Sequence, residues 1–177
     1  NLNDRIAGLE KGLEGTDIKI VATGDNKADD SVTASSTSAI LLASKDFVNS
    51  NSINAKYRIV SRSIAGVDWK TMGSGPLPAT TKALNKAGMQ MSDIDAIELN
   101  EAFAAQVIGC QRQLGIDPQR LNVNGGAIAL GHPLGCSGAR ITGALAHILQ
   151  ERDARYGLAT MCIGLGQGVA TILERVN

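Results

Sequence analysis

Aromatic residues are scarce in this chain: Trp69, Tyr57, Tyr156, Phe47 and Phe103 are the five among 177 residues. An excess of charge of either sign is missing too, with 17 Lys+Arg against 17 Asp+Glu. Nucleic-acid binding asks for a basic surface and stacking rings, so both absences argue against it. There is no run of about 18 uncharged apolar residues to span a membrane, and no basic stretch leading into an apolar one at the start as in a signal peptide. The cysteines Cys110, Cys136 and Cys162 form no C-x-x-C pair, and with two histidines they make no zinc-like cluster. The expectation is a soluble protein with free thiols in a reducing, cytoplasmic compartment, with no metal.

Glycine is plentiful: 20 residues, most of the excess between Gly125 and Gly168, against an average usage of about 7%. That segment needs tight backbone. A chain of 177 residues is one domain's worth and can bury a sizeable core. It begins with Asn1, which suggests a processed product or a piece of something longer.

Leu2, Ile6, Leu9 and Leu13 share a helical face, with Gly15 placed to stop the helix, and a short strand is expected over 18–22. Residues 23–38 are rich in Asp, Ser and Thr and read as a linker, with a brief strand possible over 32–34. The boundary is set there, with 1–30 a separate segment and 31–177 the main domain. A helix follows the Ser44 cap, and 57–64 is a β-branched strand. Pro76 and Pro78 suit a helix entry and Gly88 its stop. A strand is expected over 94–99, a helix over 102–114 ended by Gly115, and a strand-like stretch over 121–123. Ser137 is placed to cap a helix running to about Gln150, with Ile141, Leu145 and Ile148 on one face. The strands 156–162 and 169–176 are joined by a turn too short for a crossover, so they must pair antiparallel. Strands alternating with helices before such a pair indicate a mixed α/β sheet with helices on its faces.

Three stretches set reactive side chains beside small residues where strands end, which is where sites on such sheets gather. They are Asn100-Glu101-Ala102-Phe103-Ala104-Ala105, the loop from Asn124 through Gly131-His132-Pro133, and Cys162-Ile163-Gly164. A thiol beside an imidazole is a nucleophile or a base, glycine N–H groups can face an oxyanion, and the Asn100 amide can anchor a water or a carbonyl. This chemistry suits acyl transfer or proton abstraction next to a carbonyl. Plainer readings stand beside it: a cysteine in a strand packs more often than it reacts, Cys110 fits a core face, Cys136 fills space at a helix entrance, and His147 lies on a solvated side. The glycine strings fit no nucleotide loop, since Gly164-x-Gly166-x-Gly168 joins two strands and Gly131-x-x-x-Gly135-x-x-Gly138 lacks a lysine.

At these residues the sequence resembles the C-terminal half of a thiolase, the acetyl-CoA acyltransferases acting on 3-ketoacyl-CoA. The likeness lies in Asn100-Glu101-Ala102-Phe103-Ala104, the stretch from Asn122 to Gly135, Ser137-Gly138-Ala139-Arg140, and Cys162-Ile163-Gly164 with Gly166-Gln167-Gly168. Met72-Gly73-x-Gly75-Pro76-x-Pro78-Ala79 is also family-like. The residues at Cys136 and Met161 resemble bacterial degradative thiolases of fatty-acid β-oxidation.

The resemblance implies a mixed, mostly parallel five-stranded sheet with helices on both faces and an antiparallel C-terminal strand pair. It makes His132 the base that activates a nucleophilic cysteine. Cys162 becomes the second cysteine, moving a proton to and from the acetyl α-carbon. Asn100 would hold a water of one oxyanion hole, the Gly164 N–H would serve the other, and Met72 and Phe103 would line the acyl pocket. Acyl-CoA and CoA are the implied substrates, without a further cofactor.

The family's nucleophilic cysteine belongs to its N-terminal half, and neither Cys110 nor Cys136 sits in a matching motif. This chain alone is therefore expected to be inactive, to need that half from the same precursor or a second chain, and to be an oligomer. Residues 32–42 are shorter than the family's corresponding Gly/Asn/Asp/Ala-rich segment, and 1–30 match nothing in the pattern. A non-catalytic module of the same fold, for association or acyl-CoA binding, is the alternative.

Overall fold

The structure is a computed structural model that describes residues 19–20 and 40–176. The boundary expected at residue 30, the helix through Leu2 and Leu13, the polar stretch 23–38 and the brief strand over 32–34 lie outside the described residues. Of the strand expected over 18–22, Lys19–Ile20 (β1) is described, paired antiparallel with Leu41–Leu42 (β2).

Helix α1 (Lys45–Ser50) begins where Ser44 predicts: the Ser44 hydroxyl accepts the Phe47 N–H at 3.1 Å, satisfying a donor that a helix start leaves open. Strand β3 (Tyr57–Gly66) follows, then α2 (Pro76–Ala87), entered by a proline that has no N–H to leave unpaired. Gly88 and Gly115, both left-handed, close α2 and α3 (Ala104–Leu114) as expected. Strand β4 (Ala96–Leu99) is shorter than the apolar run that announces it, because a 3-10 turn, Met91–Asp93, ends against Ile94.

The main sheet has the order β3-β6-β5-β4, with β5 at Tyr156–Ile163 and β6 at Gln167–Arg175. Strand β6 runs antiparallel to both neighbours while β4 and β5 are parallel, so β6 alone opposes the others. The mixed α/β sheet and the C-terminal antiparallel pair are as expected, but the strand count is not. Among the described residues four strands are joined in this sheet, and residues 121–123 contribute only a parallel bridge from Leu121 to Ile97. Asn122 is the reason. Its backbone turns left-handed at φ 47°, which breaks the strand, and its side chain takes over the pairing. Its Oδ1 accepts the Leu99 N–H and its Nδ2 donates to the Leu99 carbonyl, both at 2.9 Å.

Helix α2 covers one face of the sheet and α5 (Leu134–Glu151) the other. Ala79, Ala83, Ile97, Leu99, Leu158 and Ile172 form the core under α2; Ala96, Leu145, Ile148, Leu149 and Leu173 form the core under α5. A Cβ on Gly157 would lie 2.7 Å from Leu145 Cδ1, so α5 rests directly on the strand there. Truncating Leu145 to alanine would cost about 2–5 kcal/mol.

Helix α5 starts three residues before the predicted cap, with Pro133 at the N-cap position. Ser137 instead sits inside the first turn, where its hydroxyl donates to the Pro133 carbonyl at 3.0 Å. A short helix, α4 (Ala127–Leu130), precedes it. Leu130 is 67% and Leu134 81% exposed, so an apolar surface is open at this end of the molecule. Cys110 and Cys136 are buried and His147 is exposed, as the plainer readings have them. No helix among the described residues is long and apolar enough to cross a membrane.

Candidate functional site

Strand β4 carries the parallel pairing one residue past its end, because the Asn100 N–H donates to the Thr160 carbonyl at 3.0 Å. That fixes Asn100 at the edge of the sheet with its side chain buried, 2% exposed. Strand alternation sends Ile97 and Leu99 to the α2 core and Ala96 to the α5 core. Glu98, the one charge in an apolar strand, lines a cleft of about 140 Å³ together with Asn100, Asn124, Gly126, Arg140 and Ala144.

Next along the chain, Glu101 acts as a strut. Its Oε1 accepts from Asn122 Nδ2 at 2.9 Å and its Oε2 from the Ile128 N–H at 3.0 Å, in the first turn of α4. The carboxylate thereby ties the end of β4 to the glycine-rich loop that leads to His132. From the other side Arg140 Nη2 donates to the Gly131 carbonyl at 2.9 Å.

His132 thus arrives on a loop held at both ends. Its Nε2 lies 3.3 Å from Asn100 Nδ2 and its Nδ1 2.7 Å from Ser137 Oγ. Burial first, and the Arg140 guanidinium second, hold the imidazole below its ordinary pKa of 6.5, so the ring is neutral at pH 7. A neutral imidazole keeps a lone pair for a proton.

Cys162 is the penultimate residue of β5, two residues past Thr160, and is buried. Burial pushes its thiol up, so it keeps its proton at neutral pH. Among the described residues no hydrogen bond joins it to His132 or Asn100; the other thiol with a raised pKa, Cys110, donates its Sγ hydrogen to the Gly73 carbonyl at 3.5 Å. Gly164 is exposed in the turn after β5, with open space where a Cβ would stand. Met72 is half-buried in the 3-10 turn Trp69–Ser74, which touches α3 through Gly73 and Gln106. Phe103 stands at the N-cap position of α3 and is 61% exposed.

The fold therefore joins Asn100 and His132 directly, and pairs the strand of Cys162 with the strand before Asn100. Sequence reasoning assigned no role to Glu98, Glu101, Asn122 or Arg140. For Glu98 a signal existed, a carboxylate inside an apolar strand. Among the described residues neither its Oε1 nor Asn100 Oδ1 has a hydrogen-bond partner, so two open acceptors lie at this end of β4. Burial, then the Glu101 charge, raises the Glu98 pKa from 4.5 to about 7, with Arg140 opposing. A neutral imidazole held against an amide, with a protonated thiol on the adjoining strand, suits proton transfer next to a carbonyl.

Residues 53–175 match the family described as thiolase, C-terminal domain. A 3-ketoacyl-CoA thiolase of Aeromonas salmonicida is 54% identical over 142 residues, 78% of this chain and 37% of its own length. One of Shewanella frigidimarina is 46% identical over 176 residues, 98% of this chain and 44% of its own. Among solved structures, human mitochondrial 3-ketoacyl-CoA thiolase in complex with CoA superposes with a TM-score of 0.77 at 43% identity, covering 89% of this chain and 42% of that one. The Bacillus anthracis acetyl-CoA acetyltransferase gives a TM-score of 0.75 at 39% identity, covering 94% and 42%. The chain spans less than half the length of these relatives.

Proposed function

This chain belongs to the thiolase family through its C-terminal domain, and from that membership we propose that it supplies the base and the proton-transfer thiol of an acyltransferase. The reaction is thiolytic cleavage of 3-ketoacyl-CoA to acetyl-CoA and a shortened acyl-CoA, or the reverse Claisen condensation. Its place is fatty-acid β-oxidation in the cytoplasm.

His132 Nε2 takes the proton of a cysteine thiol supplied by an N-terminal half, and the thiolate adds to the 3-keto carbon. The bond between C2 and C3 breaks, leaving an acyl thioester on that cysteine and the enolate of acetyl-CoA, whose α-carbon takes the Cys162 proton. CoA thiol then passes its proton to the Cys162 thiolate while its sulfur takes the acyl group. His132 returns its proton to the released cysteine. A water on Asn100 and the Gly164 N–H face the two oxyanions, and Met72 and Phe103 border the acyl chain.

The observation that carries this reading is the contact between Asn100 and His132 at 3.3 Å, an amide donor against a neutral imidazole. The raised Cys162 pKa agrees, since a thiol that gives its proton to carbon must hold one at rest. The exposed Leu130 and Leu134 offer an apolar surface to a companion half, from the same precursor or a second chain, within an oligomer.

The test begins with the denatured masses of the polypeptides in the native preparation. It continues with 3-ketoacyl-CoA and CoA, offered to the chain alone and to the chain with the N-terminal half of a relative. Acetyl-CoA is expected only where a companion half is present. Two halves that associate on sedimentation yet release no acetyl-CoA would overturn the reading in favour of a non-catalytic module.

A further inference from the structure

The His132 ring is held at both nitrogens, and the two contacts ask for the same proton arrangement. Ser137 is fully buried, and its Oγ lies 2.7 Å from His132 Nδ1 and 3.0 Å from the Pro133 carbonyl. A hydroxyl has one proton to donate. Given to the Pro133 carbonyl, it leaves only lone pairs toward the ring, so Nδ1 must carry the hydrogen and donate to Ser137. The same carbonyl accepts the Cys136 and Ser137 N–H groups at 2.9 Å, which fastens this end of the chain of bonds to the first turn of α5.

At the other nitrogen the partner is Asn100 Nδ2, an N–H donor, which asks Nε2 for a lone pair. The opposite tautomer would set an Nε2–H against the amide N–H and turn the Ser137 proton away from Pro133. Asn100 and Ser137 belong to different elements, the end of β4 and the start of α5, so the agreement spans the site.

We propose that Ser137 is a positioning residue that holds His132 as the Nδ1–H tautomer, leaving the Nε2 lone pair as the proton acceptor. Its meaning for catalysis rests on the reading of His132 as the base; the tautomer itself does not. Losing the orienting partner of a catalytic histidine costs rate by presenting the wrong tautomer, with the substrate contacts left in place.

The experiment is long-range proton–nitrogen NMR on the ¹⁵N-labelled chain. It has two histidines, and the exposed His147 serves as an internal control. At neutral pH the His132 Nδ1 is expected at a protonated-type shift and Nε2 at an unprotonated one. Ser137→Ala is expected to move the population toward Nε2–H, the tautomer that free imidazole side chains favour in water. Ser137→Thr, which keeps a hydroxyl, is expected to retain Nδ1–H.

A wild-type ring found as Nε2–H would overturn the proposal even if the alanine variant fails to fold, and so would a Ser137→Ala spectrum identical to wild type. With a companion half present, Ser137→Ala should lower kcat about 10- to 100-fold with KM unchanged within about twofold, well short of the loss from the wrong tautomer in a full triad. A wild-type pair without activity but with the Nδ1–H tautomer overturns the acyltransfer reading and supports this one.

Discussion

A Cβ on Gly126 would lie 2.4 Å from Cδ of Glu101, so these two residues fit together only because one has no side chain. The close approach lets one carboxylate reach Asn122 and the Ile128 N–H at once, tying the end of β4 to the loop that carries His132.

Gly126→Ala must therefore push the Glu101 carboxylate away. Overpacking of this kind costs about 1–3 kcal/mol. The urea midpoint should fall with little change in slope, and the His132 ring signals should shift. A midpoint equal to wild type would show that the strut can move freely.

Glu98 predicts a pH dependence of stability. Burial, the Glu101 charge and the opposing Arg140 leave its pKa at about 7 in the fold against an ordinary 4.5. The folded chain then holds this proton longer than the unfolded one, so stability is full below pH 4.5 and is lost as pH rises toward about 7. The loss is on the order of 3 kcal/mol. Denaturation curves at pH 5 and pH 8 should show it in wild type and show it much reduced in Glu98→Gln; an equal loss in both would contradict the assignment.

His132 titrates in the opposite sense. Its pKa is held below 6.5, chiefly by burial and then by Arg140, so the folded ring resists protonation, and stability falls as pH drops below that value. Proton NMR should place its midpoint below 6.5, with Arg140→Gln raising it only partly because burial is the larger cause. A midpoint at or above 6.5 in wild type would be wrong for this environment.

Cys162 makes no hydrogen bond to the ring among the described residues, which separates its role from that of Ser137. Cys162→Ala should leave the His132 tautomer and midpoint unchanged. With a companion half it should lower acetyl-CoA formation roughly 100- to 10,000-fold, the usual worth of a positioned acid or base. Both Cys110 and Cys162 are buried with raised pKa values, so alkylation at pH 7 should be slow in the fold and fast in denaturant. Rapid labelling of Cys162 in the folded chain would refute that burial.

The elements most legible in the sequence are those whose limits are local backbone choices. Pro76 and Gly88 bracket α2, Gly115 ends α3, Ser44 caps α1, and the glycine turn after β5 forces a hairpin. Where the prediction missed, a side chain had replaced backbone. Asn122 pairs with Leu99 through its amide, so a strand-like stretch is only a bridge, and Ser137, which resembles a helix cap, spends its hydroxyl between Pro133 and His132.

By itself the sequence determined the residue types of the site, the alternation of helices and strands, and the likeness to thiolases in the stretches around Asn100, His132 and Cys162. Only the tertiary structure decided that Asn100 meets His132 across 32 residues, and that Glu101 and Arg140 hold the loop between them. It also decided that burial keeps the imidazole neutral and the thiol protonated. A cap or a turn depends on neighbours in the chain. A pKa and a hydrogen bond between distant residues depend on what is packed around them, which no local pattern specifies.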